Sequence, residues 1–166
     1  MKRDPALHPL SQHHHFALIQ AWEMRRAAEA PAVKRPPLLR AAGQKFLRFW
    51  VKTGREHFRE EEEVLLPAYA RCVRLDQDSD VMRMLADHAE IRAGVQTLEE
   101  LLASDDKAAV RELEELVASL AKTLHDHVRL EENVIFPRME KTLGEAALLA
   151  AGKKLTRLHP KNTCEI

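Results

Sequence analysis

The chain has 166 residues, a length that suits one domain with a core of its own. It is 45% hydrophobic and 31% charged, which excludes a disordered tail. Its 26 basic side chains balance 26 acidic ones, so no net field draws it to nucleic acid or to an anionic membrane. No apolar run reaches the ~20 residues of a membrane span, and the polar start lacks a secretory apolar segment, so a cytoplasmic domain is expected. Cys72 and Cys164 stand without CxxC spacing, which argues against a disulfide framework or a thiolate metal site; Cys72 reads as a small buried apolar residue.

Proline and short polar clusters cut the chain into segments of helical periodicity. The first helix is expected over about 11–29, with Leu18, Ala21 and Trp22 on a 3–4 spacing. Pro31, Pro36 and Pro37 mark a linker, and Pro37 suits the first turn of the next helix. That helix carries Leu39, Phe46, Leu47, Trp50, His57, Val64 and Leu65 on one stripe. Residues 76–80 (DQDSD) break the pattern and offer caps. The third helix puts Val81, Met84, Leu85, His88, Ile91, Val95, Leu98 and Leu102 on one face. Ser104, Asp105 and Asp106 make a turn before the fourth, whose stripe is Leu113, Leu116, Val117, Leu120, Leu124, His127, Leu130 and Val134. After Pro137 and Gly144 a short apolar helix docks at the end. No segment alternates with period two. The reading is one all-α domain over 1–166, an antiparallel up-down-up-down four-helix bundle (core 10–140) with a C-terminal helical extension at 144–158.

Two segments match position by position. Residues 57–67, HFREEEEVLLP, lie over residues 127–137, HVRLEENVIFP; both read H-x-x-x-E-E-x-φ-φ-φ-P, with φ apolar. On a helix, residues i and i+4 stand one above the other, ~6 Å apart along the axis. His57 with Glu61, and His127 with Glu131, can therefore each reach a metal beside the helix. Two such helices facing each other supply ligands for a pair of ions bridged by the carboxylates. Helices one and three add single histidines: His88 on an apolar stripe, and on the first helix His15, whose H-x-x-φ context matches that of His88. His14 has an inward register too, with Leu10 and Leu18 four residues either side. In an up-down bundle all four histidines reach a similar depth near one end.

The bland readings stand beside these. A single histidine on an apolar face is more often a core residue than a ligand, and the paired repeat is what lifts these above that base. Glu60 to Glu63 reads mostly as a solvated face, with Glu61 alone in phase with His57; Glu62 and Glu132 suit outer partners of the histidines. His8, His125 and His159 read as surface residues. Phe16, Trp22, Phe46, Trp50 and Phe136 read as core, and Tyr69 has no evident role.

The doubled H-x-x-x-E-E motif, with single histidines on the first and third helices, resembles the hemerythrin-like (HHE cation-binding) family over roughly His13 to Pro137. The resemblance implies a non-haem diiron centre in a four-helix bundle, bridged by two carboxylates and an oxo or hydroxo species. The ligands it implies are His15 (or His14), His57, Glu61, His88, His127 and Glu131. The oxygen carriers of the family place a further histidine where this chain has Arg92. They use an aspartate at the position of Glu132, whereas this chain keeps Glu131. Four histidines leave more open positions on the metals, which implies binding of, or reaction with, oxygen, nitric oxide or peroxide in sensing, scavenging or storage. Alternatives are a diiron redox enzyme (peroxidase, oxidase or nitric oxide detoxifying) and an iron-storage or interaction bundle. Imidazole and carboxylate donors without thiolate suit iron, with manganese or zinc possible.

Overall fold

A computed structural model describes residues 3–104 and 109–158, with side chains to residue 155. The expected turn residues Asp105 and Asp106, His159 and Cys164 lie outside the described residues. The fold is all-α, with no strand among the described residues. A 3₁₀ turn, Pro5–Leu7, is capped by Asp4, whose carboxylate accepts from the Ala6 N–H at 2.8 Å, and leads into α1, His8–Ala28. The rod α2 (35–69) begins as Arg35–Phe49, widens into a π-helical turn at Trp50–Gly54, and continues as Arg55–Glu60. A second π-helical turn at Glu61–Leu65 precedes Leu66–Tyr69. α3, Ser79–Ala103, is capped by Asp78, which accepts from the Asp80 and Val81 N–H groups. α4 (109–143) runs through Ala109–Leu130 and a π-helical turn at Glu131–Ile135.

The π-helical turns after Glu61 and Glu131 have a local cause. Pro67 and Pro137 donate no N–H, and each ring would clash with the carbonyl four residues earlier in a regular α-helix. Widening the preceding turn accommodates the proline without ending the rod. Glu60 and Glu61, three and four residues after His57, both lie inside.

Gly144 breaks the last rod with φ 69°, ψ 167°, and α5 (145–158) turns back to dock through Leu148, Ala151 and Leu155. A side chain at Gly144 meets open space but not an allowed backbone. Gly144→Val should cost about 1 kcal/mol or more, read as a lower urea midpoint at unchanged slope.

The core comes in two pieces. One contains Met24, Phe46, Ile91, Leu98, Leu120 and Leu124; the other contains Leu10, Leu65, Tyr69, Met84, Phe136, Met139 and Leu155. Each rod changes from one piece to the other at a buried polar residue. On α1 that is His14, between Leu10 and Ala17; on α3 it is His88, between Met84 and Ile91. On α2 it is His57 and Glu61, and on α4 His127 and Glu131. A polar layer thus lies between two apolar ones.

The inward stripe of α1 is Leu10, His14, Ala17, Ala21, Met24 and Ala27, a 3–4 repeat built largely on alanine. Small side chains there let α1 approach its neighbours closely. The bulky residues expected to mark its core face lie elsewhere: Phe16 is 53% and Trp22 48% exposed. Cys72, expected buried, is exposed. Tyr69 is buried, with its hydroxyl 3.4 Å from Asp78 Oδ2. No helix among the described residues is long and apolar enough to cross a membrane.

Candidate metal centre

His14, His57, Glu61, His88, His127 and Glu131 are all buried and converge in the polar layer. Glu61 lies among three rings: its Oε1 is 3.4 Å from His57 Nε2 and 3.8 Å from His14 Nε2, while its Oε2 is 3.3 Å from His88 Nε2. Glu131 repeats the arrangement from the opposite rod. Its Oε2 is 2.9 Å from His14 Nε2 and 3.3 Å from His127 Nε2, and its Oε1 is 3.7 Å from His88 Nε2. The side chains form two donor groups, His14–His57–Glu61–Glu131 and Glu61–His88–His127–Glu131, each with its donor atoms within 4.8 Å of one another. Both carboxylates belong to both groups.

The expected first-helix residue His15 is corrected by this geometry: it is exposed, with its ring against Phe16, and His14 takes the buried place. The heptad that begins at Leu10 puts the inward position at 14; at 15 the side chain turns out to solvent. Glu60, expected on a solvated face, is fully buried. The surface assignments of His8 and His125 agree with their exposure.

Behind the pocket, carboxylates orient the rings. His14 Nδ1–H donates to Glu132 Oε1 at 2.6 Å, and Glu132 also accepts from Ser11 Oγ and from Arg3. His88 Nδ1–H donates to Glu62 Oε1 at 2.7 Å, and Arg92 grips both oxygens of Glu62 at 2.9 Å. His127 Nδ1 faces Asp87 Oδ2 at 3.8 Å. With Nδ1 carrying the proton, Nε2 presents a lone pair to the pocket, as a metal-binding imidazole requires. Phe58 stacks on His88 at 3.7 Å between ring centroids, and Phe136 stacks on His14 at 5.2 Å. The acids following Glu61 and Glu131 were visible in the motif; Arg3, Ser11, Asp87 and the clamp by Arg92 carried no local sign.

The electrostatics are those of a site built for cations. Burial alone would suppress the charge on every group here. It does so at His57, whose pKa is pushed down to about 3. At His88 burial is outweighed by Glu131 and Glu61, which push it up to about 10; at His14 burial is outweighed by Glu131, Glu132 and Glu61, which hold it well above its ordinary value. Burial would raise the Glu61 and Glu131 carboxyls, yet the surrounding histidines hold both below the usual carboxylate range. Glu132 is lowered to about 2 against its burial, by His14, Ser11 and Arg3. Burial, with the charges of Glu61 and Glu56, raises Glu60 to about 8.

The fit to metal rests on orphaned atoms. The Nε2 atoms of His14, His57, His88 and His127 and both oxygens of Glu61 and of Glu131 are buried and make no hydrogen bond. Unsatisfied buried polar groups cost of order 1–3 kcal/mol each, and here they face one another around a single pocket. Divalent cations satisfy all of them at once.

The architecture and its site define a helical bundle with a buried His/Glu cluster that could hold metal ions. The family model for the hemerythrin HHE cation binding domain matches residues 7–150, and the chain belongs to that family. No curated protein and no solved structure matches the chain.

Proposed function

We propose that the pocket holds two iron ions bridged by Glu61 and Glu131, with His14 and His57 completing one ion's protein ligands and His88 and His127 the other's. On this reading the protein binds or reacts with a small diatomic or peroxide ligand, such as oxygen or nitric oxide, in sensing, scavenging or storage. The observation that carries the reading is the pair of donor groups sharing both carboxylates, with no other partner for their buried atoms. The donor set also suits manganese or zinc. A ferrous pair would supply electrons to a bound ligand; the chain's residues hold, orient and enclose it.

The enclosure favours a small ligand. Beside His57 and His127 lies a void of about 10 Å³, lined by Ala17, Phe46, Trp50, Phe58, Leu124 and Val128. That is about the space of one water, in a lining that is apolar apart from His14, His57 and His127. Oxygen and nitric oxide are small and apolar enough to enter such a wall; an organic substrate is not. His14, His88 and their carboxylate partners keep the lone pairs aimed inward, and Phe58 and Phe136 shield the rings from water. The same reading has the rods run up-down-up-down. His14, early in α1, meets His57, and Glu23, late in α1, pairs with Lys45, earlier in α2.

Anaerobic ferrous loading followed by air tests this reading. Ferric charge-transfer bands should grow in the near ultraviolet at two irons per chain and persist when oxygen is removed, since four histidines leave positions for further reaction. Absence of bands in a chain that carries two irons contradicts the iron–oxygen reading.

A further inference from the structure

A third group of donors adjoins the pocket and shares His57 with it. One nitrogen of His13, one of His57 and one carboxylate oxygen of Glu60 lie within 4.8 Å of one another. His13 Nδ1 and Glu60 Oε2 are 3.6 Å apart, and the His13 and His57 rings meet edge to face at 5.4 Å. The group is graded in depth: the His13 side chain is 20% exposed and Glu60 is fully buried.

His57 differs from His14 and His88 in what stands behind its ring. His14 and His88 each donate Nδ1–H to a carboxylate on another rod. His57 is buried, and neither of its ring nitrogens makes a hydrogen bond. Its Nε2 faces Glu61 in the inner pocket, and one of its two ring nitrogens belongs to the outer group. Two imidazoles and a carboxylate converging at such spacings form a three-ligand set of the kind that divalent transition metals take, with water in the remaining positions.

We propose that His13, Glu60 and His57 Nδ1 form an acquisition site that captures a divalent transition-metal ion and passes it to the inner pocket. The inference rests on the inner pocket being the metal's destination. Neutral imidazole has one lone pair. An ion on His57 Nδ1 leaves the proton on Nε2, and an ion on Nε2 leaves it on Nδ1. Hand-over therefore moves the ion from Nδ1 to Nε2 and the proton from Nε2 to Nδ1, where the Glu60 carboxylate stands to accept its hydrogen bond. The outer and inner positions on His57 exclude each other, so the loaded protein holds two ions and the outer site empties.

Cobalt(II) uptake by the metal-free full chain tests this in two arms. In the rate arm, rapid mixing should show His13→Ala and Glu60→Gln slowing uptake by roughly tenfold, the scale on which local charge and donors alter cation capture, with the endpoint still at two ions per chain. In the occupancy arm, the double variant Glu61→Gln/Glu131→Gln, checked for helicity by circular dichroism, should hold one weakly bound cobalt that disappears when His13→Ala is added. Unchanged uptake rates overturn the proposal. So does a fall in endpoint occupancy at an unchanged rate, which would make Glu60 only a support for the His57 ring. A wild-type endpoint of two with no cobalt in the double variant overturns the outer site while leaving the inner pair intact. A wild-type endpoint below two with one cobalt in the double variant upholds the outer site and overturns the inner pair.

Discussion

Glu61→Ala and Glu131→Ala should each drop bound metal below two ions per chain, with surviving affinity weakened by at least ~100-fold. Loss of an outer partner to a metal ligand alone costs roughly 10–100-fold, and each of these carboxylates touches donors of both groups. Glu61 faces His14, His57 and His88, and Glu131 faces His14, His88 and His127. Removing either one therefore weakens both positions rather than emptying one cleanly. Glu63→Ala is the matched control. It lies in the same acidic run, is exposed and pairs with Arg59 on the surface, and should leave the metal content at two. Elemental analysis of dialysed protein reads both results.

The second large effect is a pH-dependent gap in melting temperature between loaded and metal-free protein. In the metal-free chain His88 is raised to about 10 and His14 well above 6.5. Groups raised in the folded state stabilise fully below their unfolded value near 6.5, and that stability is lost as pH climbs toward the folded value. The metal-free chain should therefore weaken from pH 6.5 toward 10, and Glu60, raised to about 8, adds to the loss between 4.5 and 8. On the acid side the signs reverse. His57 is depressed to about 3, so its contribution is complete above 6.5 and erodes below it; the lowered Glu61, Glu131 and Glu132 erode below about 4.5.

Metal takes the place of the protons on His14 and His88, so the loaded protein escapes the alkaline loss and suffers instead where acid protonates its ligands. At metal ~1,000-fold above Kd, each site adds roughly 4 kcal/mol. At about 2–4 °C per kcal/mol, two sites raise Tm by roughly 15–30 °C near neutrality. Melting curves from pH 5 to 9 should show this gap widening with pH. A gap that is constant, or that narrows, would contradict the assignment of His14 and His88 as protonated in the metal-free chain.

The site was more legible than the surface around it, for a physical reason. A ligand pair on one helix must repeat at i and i+4, and H-x-x-x-E at 57 and 127 fixes both residue type and spacing. The acids at 62 and 132 follow directly because a ring that offers Nε2 inward needs an acceptor behind Nδ1. The first helix offered three adjacent histidines, and its apolar residues misled. Large side chains suggested the core face, whereas the close-packed face of α1 is built from Ala17, Ala21 and Ala27 around Met24, with Phe16 and Trp22 outside. Reading the alanines as an interface would have selected His14 over His15. The burial of Glu60 was hidden for another reason: it stands three residues after His57, on the same face, but its place in an acidic run reads as solvated surface. The long-range partners Arg3, Asp87 and Arg92 depend on which rods are neighbours, which local pattern cannot supply.

Anomalous diffraction at the iron edge, from crystals of iron-loaded protein, measures the central claim directly. Two peaks in the polar layer are predicted, one beside His14 and His57, the other beside His88 and His127, with Glu61 and Glu131 reaching both. A single peak, or peaks away from these six side chains, would contradict it.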